Sequence, residues 1–312
     1  MRIASNMFSS NLITQMNQLQ GQQIQLQNQA STGLQMTLPE DDPATMAQVL
    51  DLQSQTAANT QYQSNVTQLQ SSAGLSGTAM NSLQTITEQA GEIATEAGGV
   101  NSQTQLSTYA TQVGNLIQEA LQAANTQDSQ GNYLFGGTVN NQPPFVATTD
   151  ANGNVTAVNY SGNTSVSNSE IGPGQTATAQ VPGENTTGIG PTGLLADSRS
   201  GANLFRDLIS LKQNLSSGNT AAITSTDTPN LTTDENHLVS GIAANGVLQS
   251  ALESASTNST NLGTNLTTQT SNLTSANLAT TLTKLSQTQT AYQAAMQSGV
   301  LIMNLSILDF IQ

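Results

Sequence analysis

The sequence predicts a mainly α protein with a small β-rich insert, its N- and C-terminal helices paired as an elongated coiled coil or helical bundle and the β domain at the distal end. Three observations predict it. Apolar residues recur at alternating steps of four and three near both ends, the spacing that keeps them on one helix face. From Gly131 to about Pro191 that rhythm gives way to Gly, Pro, Asn and Thr with short alternating runs, which is strand-and-turn chemistry. The remainder is too polar for one large core, with 36% hydrophobic, 8% charged and 3% aromatic residues.

The first helix carries Leu12, Met16, Leu19, Gln23, Leu26, Ala30 and Gly33 on one face, widened by Ile13 and Ile24. Gly33 stops it, and Leu38–Pro39 is extended because a residue preceding Pro avoids the helical region. Glu40-Asp41-Asp42-Pro43 starts the next helix, with Asp42 as N-cap and Pro43 in the first helical position. Acidic residues there also suit the positive end of the helix dipole. Tyr62, Val66, Leu69, Ala73, Ser76, Met80 and Leu83 keep the four-three step, which resumes through Ile86, Ala90, Ile93 and Ala97 until Gly98-Gly99. A third helix presents Leu106, Ala110, Val113, Ile117, Ala120 and Ala124.

In the insert, Asn152-Gly153 is a hairpin-turn signal, and Thr156, Val158 and Tyr160 alternate beside it as a strand does. Pro173-Gly174 and Pro182-Gly183 punctuate further short strands. Helices resume with Leu204, Leu208, Leu211 and Leu215, followed by Gly218. Residues 225–236 read as a loop. A further helix carries Leu248, Leu252, Ala255, Ser259, Leu262, Leu266 and Leu273. The last carries Leu278, Leu282, Leu285, Gln289, Tyr292, Met296, Gly299 and Met303, reaching Phe310, a seam suited to knobs-into-holes packing. These segments divide into a terminal coiled-coil assembly domain (1–42 and 277–312), a helical rod (43–138 and 196–276) and the insert (139–195).

Charge excludes several functions. The formal net charge is −14, and no Lys or Arg occurs between Arg2 and Arg199, so phosphate neutralisation, and with it nucleic-acid binding, is excluded. Attraction to anionic membrane surfaces fails on the same ground. There is no cysteine, hence no disulfide framework or thiolate metal site. No apolar run is long enough for membrane insertion, and the first residues lack the apolar core of a cleaved signal peptide. Glu40, Asp41 and Asp42 are explained by capping. His237, beside Asp234 and Glu235, is the single histidine and has no second His or Cys to share a metal. Gly136-Gly137-Thr138 lacks the Lys of a phosphate loop, and no nucleophile elbow is present. The expectation is a protein that is not an enzyme and uses no cofactor and no metal.

Several motifs in order point to one family. Gln29-Ala30-Ser31-Thr32-Gly33 followed by Pro39-Glu40-Asp41-Asp42-Pro43-Ala44 resembles the N-terminal signature of flagellins and flagellar hook-associated proteins. Gly131-Asn132-Tyr133-Leu134-Phe135-Gly136-Gly137-Thr138 with Pro144-Phe145, and Tyr160-Ser161-Gly162-Asn163 with Ile171-Gly172-Pro173-Gly174-Gln175, resemble the hook-associated branch more than the filament flagellins. Thr290-Ala291-Tyr292-Gln293-Ala294-Ala295 and Leu305-Ser306-Ile307-Leu308-Asp309-Phe310-Ile311 resemble the closing helix. The sequence departs at Asn277, where an acidic residue is usual, and in the charge-poor run 256–275.

The resemblance implies an extracellular structural component of the bacterial flagellum, an adaptor between hook and filament. It implies type III export without a cleaved signal peptide and a cytosolic chaperone on the C-terminal helix. The implied neighbours are hook-associated protein 1 on the hook side, flagellin on the filament side, and further copies of the chain in a ring. A filament flagellin subunit is the nearest alternative, and a surface binding module built on the insert is a more distant one. The residues expected to form the assembly seam are Leu12, Met16, Leu19, Leu26, Leu278, Leu282, Leu285, Tyr292, Met296, Met303 and Phe310. Ordering a helix costs roughly 1–2 kcal/mol of backbone entropy per residue, and burying each large apolar side chain returns about 1.5–3 kcal/mol. Seams half exposed in the monomer therefore imply folding coupled to assembly.

Overall fold

The computed structural model describes residues 2–36, 40 and 42–311, with side chains for residues 7, 10–36, 40 and 42–301. Two compact units emerge, one of Met1–Ala58 with Leu262–Gln312, the other of Asn59–Asn261. The helices are α1 (Arg2–Thr32), α2 (Pro43–Ala97), α3 (Gln103–Ala124), α4 (Leu204–Ser217), the short α5 (Thr220–Ala222), α6 (Thr228–Thr274) and α7 (Leu278–Ile311). Seven short strands lie between α3 and α4: β1 (Phe145–Thr149), β2 (Val155–Tyr160), β3 (Ser169–Gly172), β4 (Gln175–Ala177), β5 (Glu184–Asn185), β6 (Ala196–Asp197) and β7 (Ala202–Asn203). The fold is mainly helical with a small mixed β region, as the sequence predicts.

In the first unit α1 runs along α7. Gly33 ends α1 with φ of 71°, a left-handed conformation that glycine adopts without a Cβ penalty. The break between α6 and α7 is tied to that stop. Gln35 N donates to Thr274 O at 2.7 Å and Ala276 N donates to Gly33 O at 2.8 Å, with Leu34 facing Ser275 in an antiparallel bridge. The predicted extended pair Leu38–Pro39 and Asp41 lie outside the described residues.

In the second unit the predicted helix faces form the core. Val66, Leu69, Ala73, Ser76, Met80, Leu83, Ile86, Ala90 and Ala97 of α2 are buried. Leu106, Ala110, Val113, Ile117, Ala120 and Ala124 of α3 are buried with them, as are Leu204, Leu208, Leu211 and Leu215 of α4. Asn59 and Ser259, both buried, bond across from α2 to α6. Asn59 Nδ2 donates to Ser259 O at 2.9 Å, and Ser259 Oγ donates to Asn59 Oδ1 at 2.7 Å.

The strands form three small sheets: β1–β2, β3–β4 and β5–β6–β7. Asn152-Gly153 and Pro173-Gly174 lie in the β1–β2 and β3–β4 connections, as read from sequence. The first connection, Asp150 to Asn154, repeats a loop at Asp128 to Asn132. In both, the aspartate Oδ1 accepts from the N–H groups two and four residues later, and the closing Asn donates its side-chain amide to Oδ2. The Phe145 ring packs against Tyr160 and Phe205, with centroids 5.1 and 5.3 Å apart, which fastens the strands to α4.

One expectation is overturned. Residues 225–236 are not a loop: they lie in a π-helical turn (Ile223–Asp227) and the start of α6. The inward face is Asp227, Leu231, Asp234 and Leu238, all buried. Two of its four positions are acidic, so a reading keyed to apolar periodicity misses a helix whose buried stripe is half polar. Asp227 is accommodated because Ser210 Oγ and Asn214 Nδ2 of α4 each donate to it at 2.7 Å.

Candidate assembly surface

The surface with functional promise lies on α1 and α7. On α1, Leu12, Met16, Leu19, Gln23, Leu26, Ala30 and Gly33 are each half-buried while most of their neighbours are exposed. The predicted stripe is therefore the covered face, and it is covered only in part. Along α7 the covered face is Thr281, Leu285, Thr288, Tyr292, Ala295 and Gly299, with Thr281 and Gly299 buried. Leu285, Tyr292 and Gly299 belong to the predicted stripe.

The alternate positions differ from the sequence reading. The face turned to α1 uses Thr281, Thr288 and Ala295 in place of Leu282, Gln289 and Met296. The closest approach is at Gly299, where a Cβ would sit 2.9 Å from Leu12 Cδ2, so the small residues fall where the two helices come nearest. The large aliphatic residues fall on an adjacent stripe, roughly 80° round a helix of about 3.6 residues per turn. There Leu278 is 48% exposed, Leu282 55%, Met296 41% and Val300 59%. Helix α7 thus has two apolar faces side by side, one partly covered by α1 and one open to solvent. The side chains of Met303 and Phe310 lie outside the described residues.

Both helices adjoining the surface have defined starts. Asp42 Oδ1 accepts from Ala44 N at 3.2 Å and Thr45 N at 3.1 Å, and Thr45 Oγ1 donates to Oδ2 at 2.7 Å. The Thr45 hydroxyl, then the Thr45 and Ala44 N–H groups, hold the Asp42 carboxyl below the usual carboxylate range. Asn277, the departure noted above, caps α7: its Oδ1 accepts from Thr280 N at 3.1 Å and its O from Thr281 N at 2.8 Å. An amide serves that geometry as well as a carboxylate does.

The other candidate residues have structural settings. His237 Nε2 lies 2.6 Å from Gly193 O. Among the described residues no group of three or more His, Cys, Asp or Glu could hold a metal ion, and no helix is long and apolar enough to cross a membrane.

Comparison with known proteins finds similarity over the N-terminal part of the chain. The model of the bacterial flagellin N-terminal helical region matches residues 3–140. Flagellar hook-associated protein 3 of Salmonella typhimurium is 28% identical over 146 residues, 46% of each chain. Over that N-terminal part the chain is similar to flagellin-like proteins. The stretch aligned with this curated relative spans about half of that relative's length. Crystal structures share the fold of this chain. Hook-associated protein 3 from Legionella pneumophila superposes with a TM-score of 0.60 at 14% identity, over 72% of this chain and 98% of that one. FlgL from Xanthomonas campestris gives 0.58 at 16% identity, over 69% and 98%.

Sequence reasoning found the terminal helices and the α1 stripe. It missed the division of α7 into a covered and an open face. The signal was present in the small residues Thr281, Ala295 and Gly299, which recur at steps of fourteen and four and mark where another helix comes close.

Proposed function

We propose that this chain is a structural subunit of the bacterial flagellum that assembles at the junction between hook and filament, and that it works outside the cell without catalysing a reaction. One observation carries the reading: α7 exposes two apolar pairs, Leu278 with Leu282 and Met296 with Val300, on one stripe beside its α1-covered face, with Gln289 between them. Monomeric proteins seldom leave such a row in water unless something covers it. Its occupants in this reading are helices of neighbouring subunits: copies of this chain around a ring, hook-associated protein 1 on one side and flagellin on the other. The terminal segments 1–42 and 277–312 act as the assembly domain, with Leu12, Met16, Leu19, Leu26, Leu285 and Tyr292 holding the pair together. Leu278, Leu282 and Met296 meet the neighbours. Before export a cytosolic chaperone covers the C-terminal helix, and the chain leaves through the type III apparatus.

The half-buried α1 face supports a coupling of order to assembly. No α1 residue from Leu12 to Gly33 is fully buried, so the pair gains only part of the apolar free energy available to it. Neighbouring subunits supply the rest and fix the ends in place.

The test is the position of a tagged copy on intact flagella. A single band between hook and filament is the expected result, whereas label along the whole filament points to a filament subunit. Label absent from the flagellum, in cells that make and export the protein, overturns the proposal.

A further inference from the structure

Away from the assembly surface, two carboxyl groups are buried beside each other where α4, β7 and α6 meet. Asp207, near the start of α4, is 2% exposed, and Asp234 of α6 is 1% exposed. Asp207 is well supplied with donors. Arg206 Nε and Nη2 donate to its two oxygens at 3.0 Å each, and Asn230 Nδ2 donates to Oδ1 at 3.2 Å. Asp234 is not. Its Oδ1 accepts from Asn203 N of β7 at 2.7 Å, but its Oδ2 meets no hydrogen-bond donor. An ionised carboxylate with a bare oxygen in the interior is strongly disfavoured. A protonated one has something to give, and Asp207 is held alongside: it bonds to Asn230, one turn before Asp234 on α6, just as Asp234 bonds to Asn203, one turn before Asp207.

We propose that Asp234 carries a proton at neutral pH and donates it to Asp207, making a carboxyl–carboxylate clamp that joins the β7–α4 corner to α6 and loosens when alkali removes the proton. The arrangement assigns the two acids different roles. The Arg206 guanidinium chelates both oxygens of Asp207, and Asp234 becomes the donor because its Oδ2 meets no other hydrogen-bond partner. Burial first, then the negative charge of Asp207, push Asp234 up to about 8, against the opposing pull of the Asn203 N–H and of Arg206.

The charged groups acting on Asp234 from packed elements are Asp207 and Arg206, both on α4, while β7 contributes only the Asn203 amide. On α6 itself, Glu235 lines the groove facing Glu88, Glu92 and Glu96 of α2, and His237 is engaged with Gly193 O. The two acids on the inward face of the π-helical turn and α6 are thus accommodated differently. Asp227 has a hydroxyl or amide donor on each oxygen, whereas Asp234 has an oxygen with none.

The sign follows from linkage. The folded chain keeps a proton that the unfolded chain releases near pH 4, so the clamp's contribution is complete at low pH. It declines as pH rises towards about 8 and is flat beyond. The experiment follows the Asp234 side-chain carboxyl carbon by NMR in the full chain from pH 4 to 10, in wild type and in Asp207→Asn. The expected wild-type midpoint lies near 8, and removal of the neighbouring charge in Asp207→Asn moves it down by at least one pH unit. In parallel, urea unfolding monitored at the Leu208 and Leu211 amides compares wild type with Asp234→Asn. Relative to that variant, the wild-type folding equilibrium weakens by up to tenfold per pH unit between about 5 and 8. If Asp234→Asn does not fold, the carboxyl titration decides alone. An Asp234 midpoint in the ordinary carboxylate range, near 4, or unfolding curves that run parallel at all pH values, overturns the proposal.

Discussion

Truncating the open stripe of α7 separates assembly from folding. In the double substitution Leu282→Ala and Met296→Ala, the lost side chains are 55% and 41% exposed. Full burial of such a side chain is worth about 1.5–3 kcal/mol, so covering the exposed half of each yields roughly 1 kcal/mol. Together the two account for about 2 kcal/mol of association free energy, or roughly a thirty-fold rise in the subunit concentration needed for incorporation. The assay is a concentration series of purified variant added to hooks bearing the preceding junction component, with the bound fraction read by sedimentation. Val247→Ala is the control: Val247 is 71% exposed on α6 but lies off the stripe, and it leaves the threshold unchanged. Circular dichroism verifies that helix content survives in both. An unchanged threshold in the double variant, or an equal rise in the control, refutes the argument that this stripe is the docking face.

Three further outcomes follow from the geometry. Gly299→Val places a branched side chain where even a Cβ comes within 2.9 Å of Leu12; it weakens the α1–α7 pairing by about 1–3 kcal/mol, seen as lost amide protection over residues 12–33. Asn59→Ala strips Ser259 of its side-chain partner inside the core and lowers stability by about 1–3 kcal/mol in urea titration, while the conservative Asn59→Asp fails to restore it because a carboxylate has no N–H to give Ser259 O. The Asp42 cap is pH-dependent with the opposite sign to the Asp234 clamp. Its carboxyl is held low in the folded chain, so its contribution is present above the ordinary carboxylate range and disappears as pH falls through the lowered value. Amide exchange at Ala44 and Thr45 reports that loss, which Asp42→Ala already shows at neutral pH.

Much of the molecule is written along the chain. The stripes of α2, α3 and α4 and the half-covered face of α1 follow from apolar spacing because a helix fixes which residues share a face. Gly33, Asp42-Pro43, Asn152-Gly153 and Gly218 mark boundaries because each residue has a backbone or capping preference that acts locally. Gly218, for instance, closes α4 with φ of 72°. The family resemblance was legible for a related reason, since its motifs sit at those same stops and turns.

What the sequence left open depends on partners distant along the chain. Residues 225–236 join a helix because Asp227 and Asp234 find donors on α4 and β7, and nothing within that segment announces them. Which of the two apolar faces on α7 meets α1 was settled by how closely Gly299 lets Leu12 approach, a property of two helices nearly three hundred residues apart in sequence. Local preference determines where elements begin, end and turn their apolar sides. Only tertiary packing decides which side is covered, and whether a buried acid is left with a charge or a proton.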